Sequence, residues 1–119
     1  MSLSDLTDEE FKELKKKVWD KSIYFDKASN DDGFRKDDCG AWIKWSNYGQ
    51  DGEFGWEIDH IIPVSKKGSD DIENLRPLHH SNNASKGDSD KDPGPAKVIS
   101  VYGKRKNKKL GDDGTYIDM

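Results

Sequence analysis

The chain has 119 residues, a length that fits one domain with a modest core. Apolar residues make up 31% and charged residues 37%, and the formal net charge is −4. This excludes nucleic-acid binding through an overall basic surplus, so any such function leans on local charge and on a bound cation. The single cysteine, Cys39, excludes an internal disulfide and a multi-cysteine zinc site, and no apolar run approaches the ~20 residues of a membrane span.

The opening residues MSLSDLTDEE lack the basic and apolar regions of a secretory signal, so a cytoplasmic protein with no membrane partner is expected. Residues 4–21 read as a helix. Thr7 and Glu10 form a capping box, acidic residues precede lysines as the helix dipole favours, and Phe11, Leu14 and Val18 share one face. Ile23–Phe25 is a short apolar patch with strand character, and SNDDG at 29–33 is a loop by composition. Residues 33–56 are rich in glycine and aromatics without a clean period. They predict turns and short strands packed by Phe34, Trp42, Ile43, Trp45 and Tyr48.

Trp56–Ile61 suits a strand, GSDD at 68–71 a loop in which Gly68 supplies positive φ, and Leu75–His79 a second strand. Ser81 starts a short helix that ends at Gly87. SDKDPGPAK (89–97) reads as a linker and VISVY (98–102) as a strand. The most basic run, KRKNKK (104–109), follows, and the chain closes on LGDDGTYIDM.

The stretch EIDHIIPVSKKGSDDIENLRPLHHSNNASKGD (57–88) carries polar, metal-capable side chains on an apolar hairpin. Asp59 and His60 are neighbours, and on a regular strand they face opposite sides. For both to serve one site, the strand must end or twist there, or one residue must work across a groove. The carboxylate of Asp59 and the amide oxygen of Asn83 are hard ligands that suit Mg²⁺ or Mn²⁺ better than zinc, with water and phosphate oxygens completing the shell. His60 is then free to take a proton from water at neutral pH, and a base beside a phosphate-binding metal fits phosphodiester hydrolysis.

The Asp59-His60 pair, Pro63, GSDDIENL with Asn74, and the N-x-x-K-G-D ending at Asp88 together resemble the HNH endonucleases. RKDxCGAWI at 35–43 and Tyr48-Gly49 are similar to the upstream part of small stand-alone bacterial and phage members. The resemblance implies an α+β fold. A ββα-metal (His-Me) finger would occupy 56–88, the N-terminal helix 4–21, and a C-terminal strand with its basic tail 98–119, within one domain spanning 1–119. It implies DNA cleavage leaving a 5′-phosphate and a 3′-hydroxyl, with Asp59 and Asn83 holding one divalent cation, His60 as general base and Asn74 bracing the loop. Lys86, Arg76, Arg35, Lys104, Arg105 and Lys106 are the expected nucleic-acid contacts.

One departure is visible. Many stand-alone relatives carry two CxxC knuckles around a structural zinc. Here the corresponding positions read Lys36-Asp37-Asp38-Cys39 and His79-His80-Ser81-Asn82, too few ligands for a closed site. Packing by Trp42, Trp45 and Trp56 is expected in place of the zinc. An acidic balance predicts weak DNA binding unless a second copy or a partner protein contributes. The alternatives are a non-catalytic nucleic-acid- or protein-binding module on the same scaffold, and a toxin or effector nuclease with an immunity partner.

Overall fold

The computed structural model describes residues 3–119. A 3₁₀ turn at Leu3–Asp5 precedes α1 (Asp8–Trp19), so the helix expected over 4–21 is shorter and enters through a separate turn. The capping box forms as read. The Thr7 hydroxyl accepts from the Glu10 backbone, and the Glu10 carboxylate accepts from the Thr7 backbone. The segment expected to be a loop at 29–33 instead carries a five-residue helix, α2 (Lys27–Asp31), because the Asp26 side chain caps it through the Ser29 backbone N–H at 2.7 Å.

Strands β1 (Phe34–Lys36) and β2 (Trp42–Lys44) form an antiparallel hairpin. Of the apolar patch at 23–25, only Ile23 pairs with this hairpin, through a bridge to Lys36, while Tyr24 and Phe25 stay exposed. Strands β3 (Trp56–His60) and β4 (Leu75–His79) form a second antiparallel pair, with Asp59 opposite Arg76 and His60 opposite Leu75. Helix α3 (His80–Lys86) follows β4 without a break and packs on β3 and β4. The chain is thus a mixed α+β fold. The last three strands, β5 (Val98–Ser100), β6 (Asn107–Leu110) and β7 (Tyr116–Asp118), make a separate antiparallel sheet in the order β5-β6-β7.

The core gathers Val18 and Trp19 of α1, Ile43 of β2, Trp56 of β3 and Leu75 of β4. Trp19, Trp45 and Trp56 meet with ring centroids 5.1–5.9 Å apart, an arrangement that compensates for the low apolar content by burying much area per residue. Trp19 was not foreseen in this cluster, whereas Trp42 sits apart, with Phe25 and Phe34 around it.

Gly68 has a different reason from the one expected. Positive φ falls on Lys67 (68°), and Gly68 is needed for close approach, since a Cβ there would lie 1.6 Å from the Ile62 carbonyl oxygen.

The two knuckle positions are joined by a buried carboxylate. Asp37 accepts from the Cys39 and Ala41 backbone through one oxygen, and from the His79 backbone and the Asn82 amide through the other. Asn82 also pairs with both backbone groups of Val98, fastening the β5 sheet to α3. The expectation that packing by Trp42, Trp45 and Trp56 replaces a zinc knot is therefore corrected, because a hydrogen-bonded clasp occupies that place.

Candidate functional site

Strand alternation divides β3. Trp56 and Ile58 belong to the core side toward α1, whereas Glu57 and Asp59 face α3. His60 is the last residue of the strand, and it lines both a cleft of about 930 Å³ against α1 and a smaller one of about 210 Å³ against α3. The smaller cleft brings together Asp59, His60, Asn83 and Lys86. Asp59 and His60 both line this cleft because β3 ends at His60.

Asp59 is buried and held by two cations. Arg76 Nε donates to its Oδ2 at 2.9 Å, and Lys86 Nζ to its Oδ1 at 3.2 Å. Lys86 also donates to the His60 carbonyl at 2.9 Å. Burying such charges is favourable only when they are paired in this way. Arg76 and Lys86, read from sequence as phosphate contacts, thus face inward in this structure. Arg76 further pairs with Asp92 and with Asp38. Burial alone would lower its pKa, and the Asp92 and Asp59 carboxylates more than offset that, while the same bond holds the Asp92 carboxyl below its usual range. The segment at 89–97 lacks regular structure, as a linker should, yet Asp92 within it helps fix the site.

Asn83 Nδ2 donates to Glu57 Oε1 at 2.9 Å. This bond assigns the amide its orientation and leaves Oδ1 as the acceptor end. Glu57 went unremarked in the sequence reading. The signal was present, because residues i and i+2 of a strand share a face and Glu57 is two before Asp59.

On the other side, Asp70 Oδ1 lies 2.6 Å from His60 Nε2. The loop that presents Asp70 is held by Asn74, whose Oδ1 accepts from the Ile62 backbone and whose Nδ2 donates to the carbonyls of Ile62 and Ser69. Asn74 therefore braces the residue next to Asp70. The other sequence-predicted contacts lie elsewhere. Arg35 donates to Asn30 and covers Tyr24, and Lys104–Lys106 form the exposed turn between β5 and β6.

At the knuckles, His79 is fully buried. Its Nε2 meets the Glu53 carbonyl at 2.7 Å, and its Nδ1 accepts from the Ser81 backbone, so both ring nitrogens are engaged. Burial pushes its pKa down to about 4. Burial, reinforced by Asp37, pushes the Cys39 thiol up to about 12. A thiol so reluctant to ionise and an imidazole with both nitrogens in use make a poor zinc set.

Among the described residues no cluster of three or more His, Cys, Asp or Glu side chains is arranged to hold a metal ion. The residues with hard oxygen donors that line the smaller cleft are Asp59, Asp88 and Asn83, and Glu57 accepts from the Asn83 amide. Among the described residues, no helix is long and apolar enough to cross a membrane. Residues 39–89 match the family model described as HNH endonuclease, which supports the resemblance carried by the motifs. No curated protein and no solved structure matches the chain at a significant level.

Proposed function

We propose, on the premise that residues 39–89 carry an HNH endonuclease domain, that the protein is a divalent-metal-dependent DNA endonuclease with β3, β4 and α3 as its ββα finger. The whole chain is read as one nuclease domain. The observation that carries this reading is the convergence at the end of β3. Asp59 and Asn83 line the same cleft as His60, and Asp70 backs the imidazole at 2.6 Å.

Asp59 and Asn83 would hold the cation, with Glu57 fixing the Asn83 amide so that its oxygen points away from the Glu57 contact. Mg²⁺ or Mn²⁺ fits these hard donors, and two protein oxygens leave positions for water and phosphate. When bound, the ion supplies neutralising charge at the phosphoryl oxygens and the departing oxygen. His60 takes a proton from the attacking water as the new O–P bond forms. The P–O3′ bond breaks, the departing O3′ alkoxide takes a proton from solvent water to become the 3′-hydroxyl, and the phosphate stays on the 5′ side. Asp70 orients His60 through Nε2, which leaves Nδ1 as the nitrogen that receives the proton.

One observation favours the second reading, a non-catalytic binding module. Both oxygens of Asp59 are paired with cations, Arg76 and Lys86. A carboxylate oxygen has a second lone pair, so Lys86 and a metal can share Oδ1. Supercoiled plasmid incubated with Mg²⁺, Mn²⁺ or EDTA, beside a His60→Ala control, separates the two. Nicked or linear product that needs metal and His60 is expected from the nuclease. A folded protein that binds DNA and cuts with no metal would overturn that reading.

A further inference from the structure

We propose that the cleft between α2 and the turn joining β5 to β6 is a binding site for an unpaired nucleobase and its neighbouring phosphates, that is, for a single-stranded polynucleotide. The cleft has a volume of about 550 Å³ and lies largely outside residues 39–89. Its floor is Trp42, whose indole N–H is tied to the Lys104 carbonyl at 2.8 Å. Phe25 stands edge-on to Trp42 at 5.2 Å and is 56% exposed, and Tyr102, at the tip of the turn, is 99% exposed.

A chain this short of apolar residues leaves two aromatic rings in solvent here, around one opening. Their chemistry is that of stacking platforms, because every base has a π-face. The charge is complementary to a polynucleotide. Four cations, Lys36, Lys104, Arg105 and Lys108, line the opening against the single carboxylate of Asp26. Arg105 is also paired with Asp32 at 2.7 Å, and Lys36 stands 4.6 Å from the Phe25 ring centroid. The larger cleft beside His60 has the opposite character, with Glu10, Glu13, Asp70 and Asp71 against Lys17. In a protein of net charge −4, the basic lining is therefore local. A duplex keeps its bases stacked on one another and has no free face for Phe25 or Tyr102, so the aromatic content points to a single strand rather than to duplex backbone.

The test is fluorescence anisotropy in EDTA, which removes turnover, with labelled oligo-dT, oligo-rU and a duplex of equal length. Binding here does not depend on the catalytic assignment, so the two can fail separately. Single strands are expected to bind more tightly than duplex. Tyr102→Ala, at a side chain too exposed to matter for folding, is expected to weaken single-strand binding by roughly five- to a hundred-fold. Lys12→Ala, on the exposed face of α1, is expected to leave it unchanged. Preference for oligo-dT or oligo-rU supports the site and names its sugar, and equal binding supports a site that reads the base and phosphate alone. Wild-type affinity in Tyr102→Ala, equal competition by duplex, or no binding of either oligomer would overturn the proposal.

Discussion

Asp70 Oδ1 sits 2.6 Å from His60 Nε2, and the two residues are joined through a loop that Asn74 pins at Ser69 and Ile62. The imidazole is thus oriented by a carboxylate ten residues away in sequence, and the carboxylate by an amide four residues further on. Asp70→Asn keeps the size of the side chain and removes its charge. Cleavage is expected to fall by about ten-fold, a fraction of the 10²–10⁴ a general base contributes, while DNA and metal affinities stay as in the wild type. Single-turnover rates beside binding curves check this, and a rate unchanged by the substitution would remove Asp70 from the mechanism.

Glu57 and Asn83 form the second such relationship. Groups that orient a ligand without binding metal typically matter by 10- to 100-fold in affinity. Glu57→Ala is expected to raise the Mn²⁺ dissociation constant by about that factor, and Glu57→Gln by less, because a glutamine oxygen still accepts from Asn83 Nδ2. Isothermal titration of the three proteins decides the matter.

The Asp37 clasp carries stability. Its carboxylate satisfies three backbone N–H groups and the Asn82 amide, and all of these bonds but the one from Cys39 are buried. Desolvation raises its pKa, so its worth lies in the donors it satisfies rather than in its charge. Asp37→Ala leaves those donors unmade at about 1–3 kcal/mol each, so a loss of at least about 3 kcal/mol is expected in urea denaturation. A chelator is expected to leave the wild-type melting temperature where it was.

His79 predicts an acid limb of the stability curve. Its folded pKa, about 4, lies below the ordinary histidine value of 6.5. Between those values the unfolded chain binds more protons than the folded one. Stability therefore falls as pH drops from 6.5 toward 4 and is flat below, by roughly 3 kcal/mol from this group. The cause is burial of the imidazole, and protonation would also break the hydrogen bond that Nδ1 accepts from the Ser81 backbone. Asp37, raised in pKa, acts with the opposite sign, so the His79 part is read from the difference between wild type and His79→Gln across that range. No difference would mean that the imidazole takes up its proton without disturbing α3.

The hairpin and helix from Trp56 to Lys86 were legible because their signals are local. Alternation, a turn and a glycine stop lie within 31 residues of one another. Asp59, His60 and Asn83, singled out by an equally local spacing, line one cleft. What escaped depends on partners far along the chain. Asn82 meets Asp37 across 45 positions, and Asn107 meets Trp42 across 65, and no periodicity announces such pairs. Lys86 and Arg76 were expected to contact nucleic acid because a charged residue on a short helix or strand usually faces outward. Here Asp59 draws both inward. The helix at Lys27–Asp31 was missed because Ser, Asn and Asp favour loops until a cap such as Asp26 supplies the missing bond.

The clasp at Asp37 has one more consequence. Where two knuckles are joined through cysteine sulfur, oxidants can cut the joint. Here the joint is made of a carboxylate, one side-chain amide and backbone N–H and C=O groups, none of which changes valence. Peroxide that sulfinylates Cys39 would act on a side chain that takes no part in the fastening, since Cys39 contributes only its backbone N–H. The turn between β1 and β2 and the start of α3 are held together by a redox-inert lock.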